Sequence, residues 1–309
     1  MNTNNQQNNT SAKFVDRVKA WPQYLLPHYA LTDLMFLLTR SEAAWWKNSF
    51  IRWFAYQYKV DMSEAVNEQL TGYSSFNQFF TRPLKPNARP VCQGHNSIAC
   101  PVDGAISQAG TIEQESIFQA KGHDYSLTTL LAGQTEWINA FRNGSFMTMY
   151  LSPRDYHRIH MPFDGTLQQM TYVPGRLFSV SPATTRTIPQ LFARNERVLC
   201  FFQTSLGPIA VILVGALFVG SIETVWHGMI TPPHGKRLTH WHYARNGGND
   251  GNSDATSKFV KLSKGDELGR FNMGSTVILL FGENAINWET TATSGTKVQM
   301  GMQIATQKS

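Results

Sequence analysis

The sequence predicts an α+β protein, with a mainly antiparallel β core behind an N-terminal helical segment. Three observations predict it. After Pro90, six short β-rich runs alternate with turn signals: SIACPVDGAIS, SFMTMYLS, GTLQQMTYVPG, RVLCFFQT, IAVILVGALFVGSIETVW and STVILLF. Over residues 21–59, apolar side chains instead recur at helical spacing. Hydrophobic residues make up 42% of 309, enough for a sizeable core and too many for a disordered chain.

Residues 1–10 are almost all Asn and Gln and lack a basic n-region and an apolar stretch. Residues 1–12 therefore read as a disordered polar tail and not as a signal peptide. Residues 13–82 read as helical and membrane-associating. Ser41 is placed as an N-cap, followed by Trp46, Phe50, Trp53, Phe54 and Tyr58 on one face, with Arg52 and Lys59 opposite. Such a stripe suits core packing and an interfacial helix equally well. Residues 63–70 read as a short helix closed by Gly72, and residues 76–80 as a second that stops before Pro83.

Residues 83–309 are expected to form the β-rich domain, with one helix over 121–133 and an exposed polar loop over 244–257. Residues 201–222 carry no charge and are long enough to span a bilayer. Gly207-Pro208, Gly215 and Gly220 interrupt them, so two buried strands joined by a turn are predicted, and no transmembrane helix.

The net charge is +6, and residues 1–60 hold most of the excess, with seven Lys/Arg against three acids. The same stretch contains Trp21, Trp45, Trp46 and Trp53, half of the eight tryptophans. Interleaved cations and indoles suit an anionic membrane surface. No Lys/Arg run is dense enough for a nucleic-acid tail, so nucleic acid is set aside as a partner. Cys92, Cys100 and Cys200 show no paired spacing and read as reduced structural thiols.

Three segments could carry chemistry. SPRDYHRIHMPFD sets His157 and His160 three residues apart, just after Arg154 and Asp155. Three readings fit: two hydrogen-bonded structural histidines, a metal site completed by His240 and His242, or acid–base catalysis. No HExxH or cysteine pair supports the metal. Pro101-Val102-Asp103-Gly104 is a turn by default, and Asp103 matters chemically only if it orients a histidine. Met273-Gly274-Ser275-Thr276 opens a strand, and a serine there could attack a neighbouring carbonyl if given a base. The residues alone go no further than a possible Ser/His/Asp arrangement, and GxSxG is absent.

Taken together, the segments FNQFFTRPLKPNARP, PVDGAISQAG, QAKGHDYSLTTLLAG, YLSPRDYHRIHMPFDG, VPGRLFSV, LFARNERV, ILVGALFVGSIETVW and GRFNMGSTVILLF closely resemble the bacterial, membrane-associated phosphatidylserine decarboxylases. The resemblance implies a self-processing enzyme that converts phosphatidylserine to phosphatidylethanolamine and CO2. The family's Leu-Gly-Ser-Thr signature stands here as Met273-Gly274-Ser275-Thr276, with methionine for leucine as a conservative exchange.

It further implies a cleavage triad of Asp103, His160 and Ser275, with His160 oriented by Asp103 and drawing the proton from Ser275. Cleavage between Gly274 and Ser275 would leave a large chain (1–274) and a small chain (275–309). Ser275 would become a covalent pyruvoyl group, the cofactor and Schiff-base site, and His157 would handle the proton in decarboxylation. The implied partners are the phospholipid, an anionic membrane surface and the protein's own two chains, with further pairing of the processed unit left open. The implied location is peripheral, on the cytoplasmic side of the cell membrane. Two rivals predict otherwise: a membrane-bound serine hydrolase using the same three residues, and a non-catalytic lipid-binding protein on the same scaffold.

Overall fold

In the computed structural model, which describes residues 14–18, 20–120, 123–218, 221–243, 259–272 and 276–308, helix α1 (His28–Arg40) follows Pro27 and ends at Ser41. Ser41 is extended, and its N–H reaches the Leu38 carbonyl at 3.3 Å, so it closes α1. Helix α2 (Ala44–Tyr58) starts after Ala43 without a side-chain cap, which corrects the placement of Ser41. Lys59 ends α2 with φ 54°, left-handed.

The aromatic stripe of α2 divides between two environments. Ile51, Phe54 and Ala55 are buried against Phe76, Phe79 and Phe80, and the Phe54 and Phe76 rings meet edge to face at 5.0 Å. Those phenylalanines lie on α3 (Phe76–Phe80), whose N-cap Ser75 hydroxyl accepts the Gln78 N–H at 3.3 Å. Trp45, Trp53 and Tyr56 face outward, 77%, 53% and 85% exposed. Leu25 and Leu37 are also exposed. No helix among the described residues is long and apolar enough to cross a membrane.

The helix expected over 63–70 does not form. Val66 N–H bonds the Pro83 carbonyl and Lys85 N–H the Glu64 carbonyl, so this backbone is satisfied by an extended neighbour. Only a 3₁₀ turn, Leu70–Gly72, remains.

The β core contains β1 (Ser97–Ala99), β2 (Gly104–Thr111), β3 (Ser116–Ala120), β4 (His123–Ser126), β5 (Ser145–Tyr150), β6 (Arg158–His160), β7 (Gly165–Val173), β8 (Arg197–Thr204) and β9 (Gly207–Val214). It continues with β10 (Ile222–Thr224), β11 (Gly228–Thr231), β12 (Thr239–His242), β13 (Lys261–Leu262), β14 (Glu267–Phe271), β15 (Thr276–Phe281), β16 (Ile286–Trp288), β17 (Lys297–Val298) and β18 (Gln303–Gln307). The main sheet runs β12-β7-β8-β9-β15-β5-β2-β17, with β13 also on β7. Every paired strand in it is antiparallel. The apolar 201–222 region becomes the end of β8, the β8–β9 hairpin and the approach to β10, as its β-branched composition predicts.

Residues 123–133 divide into β4 and a short helix, α4 (Leu127–Leu130), because the Ser126 hydroxyl caps the Thr129 N–H at 3.0 Å. Residues 121–122 of the expected helix, the polar tail over 1–12 and the loop over 244–257 lie outside the described residues. A second helix, α5 (Thr135–Phe141), packs Trp137 against Phe201 with ring centroids 4.2 Å apart, and the sequence reading had not placed it.

Two features of this core position the site. β15 is buried along its whole length and paired over six residues with both β5 and β9. A separate sheet, β11-β10-β14-β6, carries the histidine strand β6 beside β14, the strand that leads toward β15.

Candidate active site

Asp103 sits immediately before β2, where the chain crosses β5. A Cβ on Gly104 would meet the Tyr150 carbonyl oxygen at 2.3 Å, so only glycine permits this approach. The buried Asp103 carboxylate accepts from Arg89 Nε at 2.9 Å and Nη2 at 2.6 Å, and from the Met300 N–H at 2.8 Å. Arg89 also forks onto Glu64 at 2.9 and 2.7 Å. Burial opposes its charge, but hydrogen bonds to Asp103 and Glu64 outweigh it and hold the guanidinium above its ordinary pKa.

His160 ends β6, and its N–H donates to the Pro101 carbonyl at 2.9 Å. Its Nδ1 lies 2.8 Å from the Gly265 carbonyl oxygen, which can only accept, so Nδ1 carries the proton. Nε2 then accepts from the Tyr156 hydroxyl at 3.1 Å. Burial pulls the His160 pKa down, against the Gly265 bond and the Glu267 charge, and keeps the ring neutral at pH 7. The orientation expected from Asp103 is therefore supplied by the Gly265 carbonyl. Asp103 and His160 share no hydrogen bond among the described residues, because Arg89 and Met300 occupy the carboxylate.

His157 is fully buried, with its ring 4.1 Å from that of Phe80. Its Nδ1 donates to the Asp155 carbonyl at 2.8 Å, while Nε2 is buried with no partner among the described residues. Desolvation lowers its pKa to about 3, so the ring is a neutral base with a bare lone pair. The Asp155 carboxylate accepts from Ser152 N–H and Oγ, both at 2.7 Å, which fixes the loop holding His157.

Met273, Gly274 and Ser275 lie outside the described residues, but both flanks are defined. Asn272 N–H donates to the Ser221 carbonyl at 3.0 Å, and its amide also bonds the Ser221 hydroxyl. Thr276 begins β15 opposite Tyr150 and Val214. Asn272 Oδ1 and Thr276 Oγ1 are both buried, with no hydrogen-bond partner among the described residues. The Phe271 N–H donates to the His157 carbonyl, whereas His160 is registered with Glu267. His157 thus stands nearer the junction along β14 than His160 does, by three residues of strand, about 10 Å.

The sequence reading had not singled out Arg89, Tyr156, Gly265 or Met300. Their roles depend on contacts between residues far apart in the chain, and no local spacing signals that. His240 and His242 do not extend the histidine pair, since His240 Nδ1 lies 3.0 Å from the Thr171 hydroxyl on β7. No cluster of three metal-ligating side chains occurs among the described residues.

The family model for phosphatidylserine decarboxylase matches residues 76–306, and a second model, described as PSD, matches residues 18–59. The phosphatidylserine decarboxylase proenzyme of Pseudomonas aeruginosa (strain LESB58) is 50% identical over 96% of this chain and 99% of its own. Proenzymes of the same name from Pseudomonas entomophila (strain L48) and Ectopseudomonas mendocina (strain ymp) are 51% and 52% identical, over 92% and 90% of this chain and 95% and 94% of theirs. With such a match running through the histidine strand, the Asp103 turn and the junction, the chain belongs to the phosphatidylserine decarboxylase family.

Proposed function

We propose that the protein is made as a proenzyme, cuts itself between Gly274 and Ser275, and decarboxylates phosphatidylserine to phosphatidylethanolamine at the new terminus. The observation that carries this reading is the family match through residues 273–275, at a junction flanked by the buried, unpartnered atoms Asn272 Oδ1, Thr276 Oγ1 and His157 Nε2. Unpartnered buried polar atoms cost stability and belong where a reacting group will use them. They also fit a covalent pyruvoyl group derived from Ser275, whose conjugated carbonyl would act as the sink for the electron pair released with CO2.

In the first reaction Ser275 Oγ attacks the Gly274 carbonyl and the peptide C–N bond breaks, giving an ester. Loss of the Ser275 Cα proton then expels the Gly274 carboxylate, and water displaces ammonia from the resulting dehydroalanine to leave the pyruvoyl group. The family resemblance gives removal of the Ser275 hydroxyl proton to His160, supported by Asp103. His160 can serve only by exchanging the Tyr156 hydroxyl for that of Ser275, and Asp103 only through Arg89 or after leaving it. In the second reaction His157 Nε2, neutral and dry beside β14, accepts or returns a proton at the reacting carbon. Its Nδ1 bond to the Asp155 carbonyl fixes which nitrogen does so.

The exposed Trp45, Trp53, Tyr56, Leu37 and Leu25 seat the helical segment peripherally on the cytoplasmic face of the membrane, where anionic lipid attracts its basic excess. A diacyl substrate then need not leave the bilayer.

Intact mass under denaturing conditions tests the reading. Two chains meeting at Gly274 and Ser275, with the small one lighter than a serine-ended peptide by the mass of ammonia, are expected. Ser275→Ala should give one uncut, inactive chain. A single full-length chain from active protein, labelled by a fluorophosphonate, would replace this reading with the serine hydrolase.

A further inference from the structure

A cavity of about 990 Å³ lies between α1 and the loops that follow β7 and β11. Tyr29, Asp33 and Phe36 line it at helical spacing along α1, and the Tyr29 hydroxyl bonds the Gly175 carbonyl across it. Leu34 and Leu37, each one position beyond a lining residue, are 52% and 68% exposed. The mouth of the cavity therefore borders the outward apolar face of α1.

Arg176, Arg194 and Lys236 line the same space. The two guanidinium carbons stand 5.5 and 5.1 Å from the centroid of the Phe178 ring, which steadies them without neutralising them. Among the described residues these three cations make no salt bridge, and Asp33 is the one carboxylate in the lining.

His234 completes the wall. Its Nδ1 donates to the buried Glu196 carboxylate at 2.9 Å, which also accepts from the Tyr172 hydroxyl. The His234 side chain is only 7% exposed, yet Nε2 has no hydrogen-bond partner among the described residues. An Asp33 oxygen stands 3.5 Å away, on a side chain 57% exposed. Burial opposes a charge on the ring, but the Glu196 bond and the Glu196 and Asp33 charges outweigh it and raise its pKa. With Glu196 matched by His234, the lining carries three cations against one acid.

We propose that this cavity seats the phosphate of an anionic membrane phospholipid, with Arg176, Arg194 and Lys236 around it and His234 Nε2 donating to one of its oxygens. Guanidinium and imidazolium donors suit a phosphate, and Glu196 fixes the imidazole so that Nε2 is the nitrogen it offers. Phe36, Met229 and Pro232 add apolar wall for the glycerol and the first methylenes, and the volume exceeds what a phosphate alone would fill. A mouth beside exposed leucines points to a lipid rather than a dissolved anion. The cavity at Asp103 is smaller, about 420 Å³, and is lined by the carboxylates of Asp61, Glu64, Asp103 and Asp155, which oppose an anion. None of the residues at the α1 cavity acts in the reaction proposed above, so the inference stands whatever becomes of Ser275.

Calorimetric titration of the full chain with dihexanoyl phosphatidylglycerol, below its micelle concentration, tests the assignment. This probe has no amine to react and no carboxylate to lose. One saturable site is expected. Arg194→Gln combined with Lys236→Gln should weaken it at least about fivefold with Tm unchanged, and His234→Gln about tenfold. Asp33→Asn, which removes the opposing charge, should tighten it. Arg52→Gln, an exposed α2 cation outside the lining, should leave it unaltered.

No saturable binding, unchanged binding in the Arg194/Lys236 double variant, or an equal loss with Arg52→Gln would overturn the proposal. So would equally tight binding of dihexanoyl phosphatidylcholine, whose head group has no net charge. Weaker binding in Asp33→Asn would also overturn it, because the carboxylate would then be helping the ligand. Inorganic phosphate or glycerol 3-phosphate binding as tightly as the lipid would give the site to a dissolved phosphate instead.

Discussion

His157 and His160 show how two histidines three residues apart acquire different chemistry. Each donates Nδ1–H to a backbone carbonyl, but Tyr156 occupies Nε2 of His160, and Nε2 of His157 is bare. His157→Ala should still process yet decarboxylate at least a hundredfold more slowly, within the range general acid–base groups contribute, and His160→Ala should remain uncut. Denaturing gels and product assays separate the two, and an uncut His157→Ala would exchange their roles. The depressed pKa of His157 also acts on stability. Between its ordinary value of 6.5 and about 3, the unfolded chain binds a proton there and the folded chain does not. Folding therefore weakens as pH falls through that window, by about 1.4 kcal/mol per pH unit for this group alone. His157→Gln should flatten the fall of Tm with acid over the same range, while an unchanged slope would place the effect elsewhere. At Arg89, substitution by Met leaves Asp103 buried with only the Met300 N–H, and should cost about 3–5 kcal/mol in denaturant unfolding.

At the scale of elements, the β runs were legible because β-branched and aromatic residues between turn signals leave few other structures open, and β5, β7, β8, β9 and β15 form where those runs lie. The helical ends were less so. Ser41 has the chemistry of an N-cap, yet it closes α1, and the next helix is capped two residues later by Ala43. Residues 63–70 had helical spacing, but Pro83 and Lys85 offered their backbone first. The site was legible as residue types and not as contacts, since Asp103 meets Arg89 and Met300, and His160 meets Gly265, only once the sheets assemble. Within α2 the cations differ in a way the sequence hides. Lys47 is tied to the Tyr73 carbonyl at 2.7 Å and to Asn48 at 2.9 Å, whereas Arg52 is exposed. Arg52→Glu should weaken sedimentation with anionic vesicles, and Trp45→Ser with Tyr56→Ser should weaken it further, by about tenfold per ring, with Tm unchanged. Equal binding by these variants would remove α2 from the membrane contact.

For the whole molecule, the position of β15 decides what processing leaves behind. The small chain would begin with a strand clamped between β5 and β9, and β16, β17 and β18 tie it further to the large chain through β18 on β1 and β17 on β2. Both chains should elute together in native size exclusion and separate only in denaturant; release of the small chain in buffer would contradict this. The order of events follows from the same clamp. Because β15 is interior to the sheet, the two pieces could not readily be made apart and joined later. A free peptide of residues 275–309 would have to enter a gap between two strands that would otherwise close on each other, while losing its own freedom of motion. Cutting after folding avoids that encounter altogether, so supplying the two pieces from separate messages should not restore what a single message produces.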